Sequence, residues 1–114
     1  MDIGIAKEWV TRLRSGKYKQ GKKYLHQGEE YCCLGVLCDM AVEKNVIESP
    51  VEENGYHAYE TSFFGVLPEK VMLWAGMTSC NGNLFFGKTL TEMNDSGSSF
   101  TDIANVIEEK MEVL

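Results

Sequence analysis

The sequence predicts an α+β fold: four helices with a small, mostly antiparallel sheet, in a single domain spanning residues 1–114. Three observations carry that expectation. Apolar residues recur at helical spacing in separated segments. Between those segments lie short runs bounded by Gly, Asn and Ser, the pattern of strands and tight turns. The strand-like runs are too short and too irregularly spaced for a doubly wound parallel sheet.

The first helix begins at Asp2, a side chain suited to capping, and continues through Ile3, Ala6, Trp9, Val10 and Leu13 on one face. Arg12 and Arg14 fall in its last turn, where cations suit the helix dipole. Ser15-Gly16 stops it, with Gly16 as the left-handed cap. KKYLHQGEEYCC then reads as two short strands around a turn at His26-Gln27-Gly28. CCLGVLCDMAVEKN is the second helix, apolar on nearly every side through Met40, which implies deep burial. Gly35 inside it costs about 1 kcal/mol in an exposed helix, so its presence predicts a neighbour passing close to the backbone. Asn45 and Ser49-Pro50 end this element.

Residues 50–66 mix acids, Gly and aromatics. Asn54-Gly55 marks a turn there, with Tyr56, Ala58, Phe63 and Phe64 as strand candidates. Leu67-Pro68-Glu69 opens the third helix, whose stripe is Val71, Trp74 and Ala75 and whose end is Gly76. Residues 78–88 predict a turn at Asn81-Gly82-Asn83 followed by a short strand. Thr89 caps a brief helical turn, LTEMND, and Ser96-Gly97-Ser98 breaks it. Ser99, with Asp102 three residues on, resembles a capping arrangement for the last helix, which turns Phe100, Ile103, Ala104, Val106, Ile107 and Met111 inward.

The composition, 44% hydrophobic and 25% charged, is that of an ordinary globular protein. No apolar run reaches the roughly 18 residues of a membrane helix. MDIGIAKEWV lacks a basic segment followed by an apolar one, so no secretory signal is expected and the chain is expected in the cytoplasm. Residues 1–28 hold seven Lys or Arg against two acids (+5), and residues 29–114 hold four Lys against fifteen acids (−11), which together make the net charge of −6. The acidic part discourages long nucleic acid, while the basic end is able to hold a small anion.

The four cysteines, Cys32, Cys33, Cys38 and Cys80, read mainly as reduced, and the three in YCCLGVLCDMAV as small buried hydrophobes. Neither C-x-x-C nor a matching His pair is present for zinc or redox chemistry. No metal and no cofactor is expected, and no G-x-S-x-G, H-E-x-x-H or EF-hand frame occurs. SGKYKQGKK comes close to a P-loop, but a helix precedes Gly16 and a strand pattern follows Gly21, the reverse of a phosphate loop, and Lys23 replaces the magnesium-binding hydroxyl. What remains is a basic turn. Arg12, Arg14, Lys17, Lys19, Lys22 and Lys23 crowd together with Tyr18 and Tyr24 between them, charge for a phosphate and rings for a base. The other reading of the same turn is a solvated surface loop. Asn94 and Asp95, in MNDSGSSF before a helix N-terminus, are able to reach a ligand's polar edges or to cap their own backbone.

Four blocks, WVTRLRSGKYKQG from Trp9, CCLGVLCD from Cys32, LPEKVMLWAG from Leu67 and LTEMNDSGSSFTDIANVIE from Leu90, together resemble a family of small proteins encoded by bacteriophages and prophages. The resemblance spans most of the chain. It implies an accessory protein made in a bacterial host and carries no catalytic residues across, so a non-enzymatic role is expected.

Two roles fit. In the first, the chain sequesters a phosphorylated or nucleotide-like small molecule, such as a host immune signal. Arg12, Arg14, Lys17, Lys19 and Lys22 supply charge, Tyr18 and Trp74 stacking surface, and Asn94 and Asp95 polar contacts. The pocket is then expected at a subunit interface of a homo-oligomer, because so small a domain has little interior to spare. In the second, the chain inhibits or modulates a host protein, with EENGYHAYETSFF, residues 52–64, presenting Tyr and Phe anchors.

Overall fold

The computed structural model describes residues 1–114. Five α-helices, α1 (Ile3–Arg14), α2 (Cys33–Glu43), α3 (Glu69–Ala75), α4 (Leu90–Asp95) and α5 (Phe100–Lys110), accompany a five-stranded sheet. The α+β class and the single globule follow the sequence. One element is upgraded: the brief turn at LTEMND is a helix in its own right, α4. Thr89 Oγ1 accepts the Glu92 N–H at 3.0 Å and starts it.

The strands are β1 (Lys19–Gln20), β2 (His26–Gln27), β3 (Glu30–Tyr31), β4 (Val51–Glu53) and β5 (Tyr56–Ala58), in the order β1-β3-β2-β5-β4. All pairings are antiparallel except β1 with β3. His26 and Gln27, expected in the turn, belong to β2; the turn is Gly28-Glu29, with Gly28 at φ 58°. No strand forms after Asn81-Gly82-Asn83. A single 3-10 turn, Phe85–Gly87, stands there instead, because Phe86 at φ 63° reverses the chain before it can extend.

The core lies where α1 packs along α5 and where α2 is sandwiched between α1, α3, α4 and β3. Trp9, Leu34, Leu37, Met40, Ile103 and Ile107 are fully buried in it. The capping signals work as read: Asp2 Oδ1 accepts the Ile5 N–H at 2.9 Å, and Ser99 Oγ accepts the Asp102 N–H at 3.1 Å. Gly76 at φ 67° closes α3. Gly35 meets its expected neighbour: a Cβ there would sit 1.8 Å from the Leu25 carbonyl oxygen. That carbonyl also accepts the Cys32 N–H at 3.2 Å, so the backbone before β2 is seated directly on the first turn of α2. Cys32, Cys33 and Cys38 are buried and free, and Cys80 is exposed. Burial pushes the Cys32 thiol up to about 11 and keeps all three buried thiols protonated and inert. No helix is long and apolar enough to cross a membrane.

Candidate functional site

The basic segment does not converge. Arg12 turns toward α2. Its guanidinium lies 3.0 Å from Glu8 Oε2, pairs with Glu43, and stands 4.0 Å from Asp39. The inner Oε2 of Glu8 is shielded from water, makes no aligned hydrogen bond, and is held by that charge contact alone. Lys44 adds one more cation, 3.6 Å from Glu8. Two cations thus face three carboxylates, and the local field repels an added anion. The hydrogen bond to Glu43, ahead of the opposing effect of burial, holds the Arg12 pKa above its usual value.

Arg14 points the other way, to α5. It donates to Asn105 Oδ1 at 2.7 Å and pairs with Glu108 at 3.1 Å, a contact that lowers the Glu108 pKa. Lys19 stands 3.9 Å from Glu30, its neighbour across the β1–β3 pair. Lys17 and Lys22 are exposed. Within the chain, Arg12 and Arg14 therefore do not face a common concavity. Successive residues of a helix end point in different directions, and the acidic remainder of the chain neutralises the two arginines as the tertiary fold closes.

Tyr18 is spent as well. Its hydroxyl accepts from Arg12 Nη1 at 3.1 Å and donates to Asp39 Oδ2 at 2.5 Å, while its ring packs edge-on against Tyr31 at 5.1 Å. Burial, then Asp39, pushes its pKa up to about 12. Trp74 packs half-buried against the core from α3. Asn94 is wholly buried. Its Oδ1 accepts from the Cys33 N–H at 3.1 Å and from Gln20 Nε2 at 3.0 Å, and its Nδ2 donates to the Gly21 carbonyl at 2.8 Å. Asp95 Oδ1 accepts the Lys23 N–H at 2.8 Å and so caps a residue held at φ 72°. Both polar residues serve the fold, clamping the basic turn onto α4 and the start of α2.

Strand register builds a second cluster. Gln20, Tyr31, His26, His57 and Glu52 lie abreast across the five strands, on the face toward α2. The His26 ring stacks on His57 at 3.6 Å and on Tyr31 at 3.8 Å, and its Nδ1 lies 2.9 Å from the Tyr59 hydroxyl. Burial, then the charge of the neighbouring His57, lowers the His26 pKa below 6.5. A histidine depressed on folding takes up its proton more readily in the unfolded chain, so it contributes stability above its unfolded pKa that is lost as pH falls below about 6.5. The melting temperature is expected to drop between about pH 7 and pH 5, and His26→Gln to flatten that part of the profile. An unchanged slope in the variant, followed by circular dichroism, would assign the effect elsewhere.

The third cluster is open. Tyr24, Tyr56, Phe63 and Phe64, with Glu53 and Asn54, line a hollow of about 310 Å3. Phe64 is 62% exposed and stacks on Tyr24 at 5.4 Å, and Tyr24 meets Tyr56 edge-on at 4.8 Å. A backbone bridge between Tyr24 and Phe64 fixes the wall of the hollow, and the Asn54-Gly55 turn of the β4–β5 hairpin forms its rim. Beside it, edge strand β4 leaves Val51 72% exposed. The charge around it is mixed: residues 46–66 carry four Glu and no Lys or Arg, while the exposed Lys22 and Lys23 immediately precede Tyr24. Lys70 pairs with Glu60 at 3.1 Å, and Glu53 is the one carboxylate in the wall of the hollow.

Sequence reasoning offered Tyr56, Tyr59, Phe63 and Phe64 as anchors, of which Tyr59 is buried in the core, and placed Tyr24 in the basic turn. It missed Asp39, whose position inside an apolar helix was the available signal for a buried polar partner. No curated protein and no solved structure matches this chain. A family described as a domain of unknown function (DUF8296) matches residues 1–111, nearly the whole length, and the chain belongs to that family.

Proposed function

We propose that the protein is a non-enzymatic protein-binding module whose aromatic hollow takes an apolar side chain from a basic segment of a partner protein. The observation that supports this reading is the hollow itself: four rings around about 310 Å3 of open space, with the Glu53 carboxylate in its wall. Exposed aromatic clusters of this kind mark interaction surfaces on small proteins, and buried Tyr and Phe anchors dominate binding energy when a partner excludes water from them. The Glu53 carboxylate, within the acidic segment that also holds Glu48 and Glu52, favours Lys or Arg on that partner. The four blocks that resemble phage and prophage proteins support a bacterial host factor as the partner, met in the cytoplasm. Sequestration of a small anion has less behind it, because Arg12 and Arg14 are already paired.

The test is a titration of the purified chain with short peptides carrying one Phe or Leu, either flanked by Lys or flanked by Glu. Basic peptides are expected to bind and to shift backbone amide resonances of Tyr56 and Phe64, and Phe64→Ser to weaken them at least about tenfold, the effect of losing one anchor. Acidic peptides are expected to be inert. Phosphate or a nucleotide that raises the melting temperature of the wild type, but not of a Lys17→Ala/Lys22→Ala variant, would overturn the proposal in favour of an anion site.

A further inference from the structure

One segment bears on what fits the hollow. Between Asn83 and Thr89, which form a backbone bridge, the chain protrudes as a short tip closed by a hydrogen bond from the Leu84 N–H to the Lys88 carbonyl at 2.7 Å. At its end Phe86 is 99% exposed and held at φ 63°, a conformation that bulky residues rarely adopt. Both features cost free energy, and neither is repaid within the chain. The base of the tip is nonetheless firmly held: Ser79 Oγ accepts the Asn83 N–H at 2.7 Å, and Gly82 at φ 69° packs tightly on Leu90. The strained ring is therefore presented by a supported turn. Strain kept in this way at an exposed position points to use by a partner.

We propose that the Leu84–Lys88 tip of one protomer docks its Phe86 ring in the aromatic hollow of a second copy. This inference rests on the reading of the hollow as a protein-docking site. Size agrees: a cavity of about 150 Å3 accepts a benzene ring, and the hollow, at about 310 Å3, takes Phe86 with room for Phe85 at its mouth. Charge agrees as well. Lys88 lies two residues after Phe86 in the tip, and the Lys110 ammonium of α5, which also lies 3.9 Å from Glu109, is 5.8 Å from the Phe85 ring. Glu53 lines the hollow, and Glu52 precedes it. The tip is thus an aromatic segment with a basic flank, the chemistry the hollow selects.

Knob and hollow are different surfaces of one chain, so the contact can be complemented between variants. Sedimentation equilibrium of the full chain, from about 10 μM to about 1 mM, is expected to show mass rising with concentration, with a dissociation constant on the order of 0.1 mM for so small an interface. Phe86→Ser removes the knob and Phe64→Ser the hollow. Both residues are exposed, and each variant is first checked for an unchanged circular dichroism spectrum. Each alone is expected to associate at least about tenfold more weakly. Their equimolar mixture is expected to recover association and to stop at two chains, since neither partner then has a second matching surface. A wild type that stays monomeric at about 1 mM, variants that associate like the wild type, or a mixture no heavier than its components would each overturn the inference. Binding of Lys-flanked peptides by Phe86→Ser separates the two readings: retained binding beside a monomeric wild type removes only the self-docking, whereas loss of binding to the basic peptides removes both.

Discussion

Gly35→Ala is expected to leave the protein unable to fold cooperatively. The new methyl would lie 1.8 Å from the Leu25 carbonyl oxygen and 2.7 Å from its carbon, well inside van der Waals contact. Leu25 has no room to retreat. Its side chain is fully buried, its N–H donates to the Phe63 carbonyl at 2.8 Å, and its carbonyl receives the Cys32 N–H. Relief requires α2 to move off the strand layer and to open the packing of Leu34 and Cys38 on the same helix. Overpacking of a close-packed interior ordinarily costs about 1–3 kcal/mol. A clash with fixed backbone belongs in the tail above about 4 kcal/mol, a large part of a small domain's total stability of about 5–15 kcal/mol. Gly16→Ala is the matched control: its φ is 76°, but nothing lies within 4 Å of the added carbon, so only the backbone cost of about 1 kcal/mol applies. Urea denaturation of the two variants checks this. A Gly35→Ala protein that unfolds with a midpoint near that of Gly16→Ala would mean that α2 and the Leu25 backbone are not in contact.

Asn94→Ala is expected to cost about 3–5 kcal/mol, because one truncation strips partners from the buried Cys33 N–H, the Gly21 carbonyl and the Gln20 amide, each worth about 1–3 kcal/mol when left unmade. Asp95→Ala, one residue on, is expected to cost only about 1 kcal/mol: it frees the Lys23 N–H, which water can reach at that exposed residue. The near-isosteric Asn94→Asp separates hydrogen bonding from volume. The carboxylate keeps the acceptor for Cys33 but loses the donor to Gly21 and places a charge in the interior beside Asp95. Burial and that neighbour raise its pKa. A raised carboxylate pKa contributes stability below the folded value that is lost as pH rises, so this variant should be most stable in mild acid, where the protonated form donates to Gly21. Equal unfolding midpoints for Asn94→Ala and Asp95→Ala would remove Asn94 from its clamping role.

Local rules accounted for much of the fold. Capping by Asp2, Thr89 and Ser99, the closing glycines and the helical stripes are short-range effects, and each is legible in a few neighbouring residues. Gly35 was legible too, since a glycine inside a buried helix demands a close neighbour, although nothing in the chain named Leu25. The failures were of another kind. His26 and Gln27 look like turn residues until β3 and β5 supply ladder partners on both sides. Phe85 and Phe86 look like a strand, yet the fold leaves no sheet edge beside them and turns the chain outward.

Helix beginnings and ends, the apolar faces, the burial of Cys32, Cys33 and Cys38, and the division of charge between a basic start and an acidic remainder were thus all written in the chain. What those charges do depends on the folded chain. Arg12 and Arg14, two residues apart, reach carboxylates 31 and 94 residues away in the chain. The neighbouring polar pair Asn94 and Asp95 is turned inward to hold the basic turn, and Tyr24 leaves that turn to join rings from beyond residue 55 around an open hollow. The physical reason is range: capping and periodicity act over one or two helical turns, whereas ion pairing, buried amide bonding and ring packing depend on which distant segments the folded chain brings within a few ångströms.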